Sequence, residues 1–311
     1  MPSPDFVILG QGLAGTALAW QLLRRRRSVL VIDAERADSA SRLAAGLVTP
    51  VTGKRLAKSW RWDELYPAAV AFYRAREADT GADFFHQRPA LRVFASEGER
   101  DEYHRRADML HGLVRPADVP ACFDAPFGGF EMPDAARLDV PRYLDASREY
   151  FRARGAYLKA EVDPRQPFDA ATVIDCRGFA PDTGLRFNAA KGEVLTVRVP
   201  GLSEPRVVHR GIWLSPVGHE LYRVGATYTH DPLDASPTPE GRAEIEAKLR
   251  ALLKLSFEVI EHRAAVRPVV DAGYPVFGRD PAHPRRAHLN GLGSKGSLLA
   301  PFFAEQLVAL L

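Results

Sequence analysis

The chain has 311 residues, with 42 basic and 39 acidic side chains, a formal net charge of +3 at pH 7, 46% hydrophobic and 26% charged residues. These values describe a folded globular protein of about two domains at roughly 150 residues each; they exclude a disordered chain and lack the basic excess of a dedicated nucleic-acid binder. The two cysteines, Cys122 and Cys176, form no CxxC pair, which argues against a disulfide scaffold or a cysteine–zinc site and fits a reducing compartment.

The N-terminal segment has no basic n-region, and Phe6–Leu9 is too short for a signal core. The most apolar tail, 297–311, contains Glu305 and Gln306 and is shorter than the roughly 20 apolar residues of a membrane span. The expectation is a cytoplasmic protein with no membrane span.

Phe6-Val7-Ile8-Leu9 reads as a strand buried on both faces. Gly10-Gln11-Gly12-Leu13-Ala14-Gly15 follows, then a helical pattern through Leu23, then a second apolar run, Val29–Ile32, ending in Asp33. This is a βαβ unit with a G-x-G-x-x-G turn and an acid at the distance expected for dinucleotide binding. Gly10 permits the tight turn, Gly12 lets a pyrophosphate approach the backbone, and Gly15 lets helix and strand pack closely. The helix N-terminus, at Leu13 and Ala14, offers free N–H groups and a positive dipole end. Asp33 can accept hydrogen bonds from a ribose, with Ala34 beside it. The arginines 24–27 at the far helix end complement the dipole and project into water.

The same turn serves NAD and FAD. The small residues that follow, Ser41-Arg42-Leu43-Ala44-Ala45-Gly46-Leu47, suit a backbone lying against a large flat ring. Near the other end, Asn290-Gly291-Leu292-Gly293-Ser294-Lys295-Gly296-Ser297 forms a second glycine-rich loop feeding a helix.

Between these ends, a helix is expected over Trp62–Glu77 and a strand over Ala90–Ala95. Loops are expected over Pro116–Pro133. A helix capped by Asp139 with Pro141 in its first turn should run to about Arg154. Thr172–Asp175 reads as a buried strand. Lys191–Val199, Val207–Ser215 and Leu221–Tyr228 read as antiparallel strands, with the hairpin turn at Val217–Glu220. A helix follows over Thr238–Leu255. His86, His209, His219 and His230 read as surface or hairpin residues. The histidines form no HxH or HExxH pair and no G-x-S-x-G elbow occurs, which argues against a metal site or a serine nucleophile.

Taken together the motifs resemble the FAD-dependent D-amino-acid-oxidase-like superfamily. The match is nearest to the glycine oxidases and to the flavin domain of the bifunctional enzymes that trim carboxymethylaminomethyl-uridine in tRNA. It is carried by the N-terminal unit, Ser41–Gly46, Asp175-Cys176-Arg177-Gly178, Lys191-Gly192-Glu193-Val194-Leu195, Val224-Gly225-Ala226-Thr227-Tyr228, Val266-Arg267-Pro268, Pro275-Val276-Phe277-Gly278 and the Gly293–Pro301 loop.

The resemblance implies an α/β fold: an FAD-binding Rossmann-like domain (1–75, 139–185 and 266–311) with an inserted substrate domain (76–138 and 186–265) built on a six-stranded antiparallel sheet. It implies FAD as cofactor. Val162, Cys176 and Gly178 join the cofactor residues named above, together with Gly291, Gly293, Ser294, Lys295, Gly296 and Ser297. Lys295 and the last helix would stabilise negative charge on reduced flavin. Arg267 would hold a substrate carboxylate bidentately, so Lys295 and Arg267 are the expected catalytic residues. Trp213, Tyr228 and Thr49 would line the substrate pocket, the last in the loop Thr49–Arg55, a candidate specificity element. Ser294 stands where glycine oxidases carry a second arginine, so strict glycine specificity is not expected. The implied reaction is oxidation of a C–N bond in a small amino acid or secondary amine. The alternatives are an RNA-directed subunit acting on carboxymethylamino-uridine in tRNA and a 2-hydroxy-acid dehydrogenase of the same superfamily.

Overall fold

The computed structural model describes residues 3–180, 182–271 and 273–311. Phe6–Leu9 is buried along its whole length, as a central strand of a sheet covered on both sides must be. It lies in a six-stranded sheet ordered Tyr157–Lys159, Val29–Asp33, Phe6–Leu9, Thr172–Asp175, His283–Asn290 and Val276–Asp280. The first five strands are parallel and the last is antiparallel. Helix Leu13–Arg24 makes the crossover between the first two strands in sequence, and the last helix, Gly296–Leu310, packs against it. Two chain ends nearly 300 residues apart thus meet at the same edge of the core.

A second sheet has eight strands, in the order Glu258–Arg267, Ala190–Arg198, Leu221–Gly225, Trp213–Gly218, Val207–His209, Ala90–Val93, Gly129–Met132 and Arg115–Pro116. The expected sheet had six antiparallel strands. Three strands were not among those read: Glu258–Arg267, and Arg115–Pro116 and Gly129–Met132 at and within the stretch that reads as loops, where strands of two and four residues leave no periodicity to detect. One pair, Val207–His209 with Ala90–Val93, is parallel. The expected single strand Val207–Ser215 is two strands, folded back at Gly211, which takes a left-handed φ of 64°. Leu221–Tyr228 ends as a strand at Gly225. The hairpin turn falls at His219 and Glu220, both with positive φ, as a primed two-residue turn requires. Helix Pro239–Leu252, capped by Thr238, closes the back of this sheet: Ile245, Leu249 and Leu252 pack on Leu195, Val197, Leu214 and Val224. Alternation along the strands then sends Gly192, Val194, Trp213 and Arg267 to the other face.

A short three-stranded ribbon of Leu47–Val48, Ala136–Leu138 and Phe85–Gln87 joins the two sheets. Helices Trp62–Thr80 and Val140–Arg152 begin as expected, the second capped by Asp139 through the Arg142 N–H. Among the described residues no helix is long and apolar enough to cross a membrane.

The packing of the first helix depends on a missing side chain. A Cβ at Gly15 would overlap the carbonyl oxygen of Gly10. Gly15→Ala should therefore lower stability by about 1–3 kcal/mol, the usual cost of overpacking. Gly98→Ala, in an exposed helix with open space around it, should be neutral or stabilising. Thermal unfolding of the two variants checks the contrast.

Candidate functional site

One cavity of about 1110 Å³ runs between the two sheets. Each end of the chain contributes a helix N-terminus to it. Helix Leu13–Arg24 starts at Gly12 with no side-chain cap, and the last helix starts at Lys295, again with none. Apart from the Leu13 N–H, which Ser41 takes, these first-turn N–H groups leave donors and a partial positive charge directed at the space in front of them.

Gly10, Gly12, Leu13 and Ala14 line the first end. The Leu13 N–H donates to Ser41 Oγ at 3.1 Å, and a Cβ at Gly12 would lie 2.9 Å from the same oxygen. Only a backbone without a side chain leaves this cradle open. Gly15 does not line the cavity: it acts one layer behind, in the helix–strand contact described above. Asp33 and Ala34 form the next stretch of wall. The Asp33 carboxylate accepts the N–H of Gln11 at 2.7 Å and of Glu35 at 2.7 Å, one on each oxygen. Those bonds fix its orientation and leave further lone pairs toward the cavity. Val162 lies in the same wall.

Ser41, Arg42, Ala45, Gly46 and Leu47 line the middle. Gly46 has a φ of 73°, and a Cβ there would overlap the Leu138 carbonyl. Arg42 pairs with Asp145 at 2.6 Å. Cys176 and Gly178 lie opposite. Burial and the neighbouring Asp175 hold the Cys176 thiol far above its ordinary pKa, so it is an inert wall residue.

The C-terminal loop supplies Gly293, Ser294, Lys295, Gly296 and Ser297. Gly291 is a correction. It lies outside the lining, with a φ of 78° and its Cα face against Val270. It turns the loop without facing the cavity. Lys295 is half-buried and donates to Thr52 Oγ1 at 3.3 Å. Burial lowers its pKa, and among the described residues no carboxylate pairs with it.

Thr49, Val51, Thr52 and Gly53 bring part of the expected specificity loop to the wall, whereas Lys54 and Arg55 are exposed and outside it. Trp213 and Tyr228 both line the cavity. Tyr228 is 56% exposed and stands at the rim, past the end of its strand.

Arg267 sits at the end of strand Glu258–Arg267. Its guanidinium lies over Gly192, where a Cβ would occupy its place. It donates to the carbonyl oxygens of Lys191 at 3.3 Å and Thr227 at 3.1 Å, and sits 5.3 Å from the centre of the Tyr228 ring. Burial lowers its pKa, only partly offset by Tyr228. Among the described residues no carboxylate pairs with it. A desolvated guanidinium without an anion is costly, and the cavity in front of it is where an anion can come.

The wall also holds residues that escape the sequence reading, among them Ser59, Arg92, Met132, Asp234 and His209. His209 stands in a hairpin strand, as one of the two expectations had it, but it faces the cavity and not the surface, and burial and the nearby Arg92 push its pKa down to about 3. The available signal was alternation within Val207–His209, obscured by the misplaced strand boundary. Gly192, which admits the Arg267 head, lies inside a quoted motif but shows its role only in three dimensions.

Two dinucleotide-grade helix ends, side-chain-free cradles at Gly12 and Gly46, and two unpaired cations fit a large anionic cofactor together with a small anionic ligand. Comparisons with known proteins bear on the cofactor and the fold. The family description "FAD dependent oxidoreductase" matches residues 5–310. The tRNA 5-methylaminomethyl-2-thiouridine biosynthesis bifunctional protein of Marinobacter nauticus is 26% identical over 97% of this chain, which spans about half (54%) of that protein. Glycine oxidase from Geobacillus kaustophilus superposes with a TM-score of 0.82 at 20% identity, covering 99% of this chain and 94% of that one. Iminodiacetate oxidase from Chelativorans sp. BNC1 gives 0.83 at 21%, covering 98% and 94%. At such identities the structural likeness establishes the fold.

Purified chain is therefore expected to be yellow and to release FAD on denaturation. A folded, colourless protein that takes up NAD but not FAD would contradict the fit between cavity and cofactor.

Proposed function

Because the chain belongs to the family of FAD-dependent oxidoreductases, we propose that it oxidises a C–N bond of a small amino acid or secondary amine. The observation that carries this reading is Arg267: a half-buried guanidinium on the cavity wall, with only carbonyl hydrogen-bond partners among the described residues. A planar fork in that setting selects a carboxylate.

In this reading Gly10–Ala14 and Asp33 hold the pyrophosphate and ribose. Ala34 and Val162 wall the nucleotide end. Ser41, Arg42, Ala45–Leu47, Cys176, Gly178 and Gly293–Ser297 enclose the remainder. When bound, FAD supplies the acceptor for a hydride equivalent leaving the substrate carbon. The chain's own residues place that carbon. Arg267 fixes the carboxylate, while Trp213 and Tyr228 limit where the rest can go. Thr49 and Thr52 close the side near Lys295, whose ammonium and helix N-terminus favour negative charge at their end of the cavity. No dedicated base is needed if the amine arrives neutral, because the nitrogen lone pair assists departure of the hydride. The resulting imine is hydrolysed by water.

A second reading, action on a modified uridine in tRNA, is favoured by one surface feature. Trp60 and Tyr274, 39% and 55% exposed, lie 4.9 Å apart beside Ser59 of the cavity wall, with Arg61 over the Trp60 ring at 5.3 Å. Exposed aromatics flanked by cations stack unpaired bases. Salt-sensitive tRNA binding lost in Trp60→Ala would support this reading; flavin reduction by free small amines supports the first.

Arg267→Ala should weaken binding of simple carboxylates to the holoenzyme more than tenfold and leave FAD content intact, since truncating one partner of a desolvated charge pair costs about 2–5 kcal/mol. Arg267→Lys should recover only part of the loss. Gly192→Ala, which removes the space of the guanidinium, should imitate Arg267→Ala. Flavin spectral titration with acetate measures all three, and equal affinity throughout would make Arg267 a structural residue.

Lys295→Met should lower the flavin midpoint potential. A helix-end charge contributes up to about 1 kcal/mol when exposed and more when partly buried, and about 1.4 kcal/mol is about 30 mV for a two-electron couple. An unchanged potential would remove Lys295 from this role.

A further inference from the structure

The cavity face of the eight-stranded sheet can be read across its register. Arg92 stands opposite His209, His209 opposite Trp213, Trp213 opposite Gly225, and Gly225 opposite Val194. All five line the cavity. Arg267 stands at one end of this face and His209 near the other, four strands away. The guanidinium reaches inward over Gly192, three strands from His209 and two residues off its row, so at about 4.8 Å per strand and about 3.4 Å per residue the two heads lie on the order of 15 Å apart.

The lining residues in register on the strands beside it, Val207, Ala90 and Met132, are apolar. Its one neighbouring charge is already committed. The Arg92 Nε donates to Glu99 at 2.9 Å and its Nη2 to the Gly53 carbonyl at 2.9 Å, with a second bond to Glu99. His209 itself is not committed. Its Nδ1 is sealed from solvent and has no hydrogen-bond partner among the described residues. An N–H sealed without an acceptor costs more than a sealed lone pair, so the proton belongs on Nε2. The ring stays neutral at working pH, because burial and Arg92 disfavour the imidazolium. What His209 offers the cavity is then a single neutral N–H donor among apolar walls.

The geometry points to His209 as a second substrate-recognition residue, donating from Nε2 to an uncharged oxygen carried by the substrate several bonds from its carboxylate. This rests on the reading of Arg267 as the carboxylate anchor. The chemistry of the spot excludes the alternatives. A second carboxylate would lose its hydration to one neutral donor and apolar walls, and an ammonium would face a donor beside Arg92. An amide carbonyl, hydroxyl or ether oxygen loses little and gains the bond. The substrate class is thereby narrowed to elongated amino acids or N-substituted glycines with a polar, uncharged tail, and glycine itself would leave His209 unpaired.

The test uses the holoenzyme and non-oxidisable ligands followed by flavin spectral change. The probes are acetate, the ω-amide monocarboxylates from succinamate to suberamate, and isosteres in which an isopropyl group replaces the terminal amide. At least one amide should bind about fivefold or more tightly than its isostere, the worth of one hydrogen bond in a desolvated site. His209→Leu should abolish or invert that preference while acetate affinity stays within twofold. His209→Gln, which keeps a side-chain N–H, should retain part of it. Should the leucine variant fail to hold FAD, His209→Phe takes its place. Absence of preference at every chain length, or a preference that survives loss of the imidazole, overturns the proposal. Acetate that binds equally well to wild type and Arg267→Ala instead overturns the anchor reading, so the two failures are distinguishable.

Discussion

Among the described residues, two cations inside the cavity have no anion paired with them. Arg267 leans on carbonyl oxygens and Lys295 on a hydroxyl, and both are disfavoured by burial. The two uncapped helix ends add positive potential of the same sign. Elsewhere along the wall the cations are matched: Lys191, just behind it, pairs with Asp234 at 2.7 Å, and Arg177 with Asp182 at 3.1 Å. The imbalance is therefore local, and it lies where a dinucleotide pyrophosphate and a carboxylate would complete it. In the proposed reading the cost of keeping these groups desolvated is offset when the ligands supply the missing charge.

The rest of the architecture serves that placement. The six-stranded sheet brings the two ends of the chain side by side, so that Gly12 and Lys295, distant in sequence, open on one space. The eight-stranded sheet supplies a wall whose near face is kept low by Gly192, Val194 and Gly225. A Cβ at Gly192 would expel the Arg267 head, and one at Gly225 would lie 2.9 Å from the Trp213 ring. Its far face is a conventional core under helix Pro239–Leu252. One face packs and the other leaves room, and period-two alternation along the strands separates the two jobs.

Much of this was legible in the sequence, for identifiable reasons. The N-terminal unit could be read because each of its glycines answers a separate geometric demand and because the acid follows at a fixed distance. The last loop could be read because a glycine run feeds an apolar helix. Gly15 packs helix on strand as its place in the motif requires, whereas Gly291 is expected at the cavity and lies behind it, because sequence shows that a glycine is needed but not whether it makes room for a ligand or for the backbone behind it. The strands Arg115–Pro116 and Gly129–Met132 were hidden by their brevity and their prolines and glycines. His209 was hidden by a strand boundary: with Val207–Ser215 read as one strand, the turn at Gly211 disappears and the histidine loses its register opposite Trp213 and Arg92. Pairings between distant strands decide which side chains share a wall, and no local pattern encodes them.

The central claim is that the cavity oxidises a carbon–nitrogen bond in a ligand anchored by its carboxylate. Anaerobic flavin bleaching tests it most directly, with a panel of amino acids, N-methyl amino acids and the matching 2-hydroxy acids offered to the holoenzyme and to Arg267→Ala. The account predicts bleaching by at least one amine-bearing carboxylate, none by its hydroxy counterpart, and a loss of saturation at the same concentration in the variant. Bleaching by hydroxy acids but not by amines, or equal bleaching of both proteins, would contradict it.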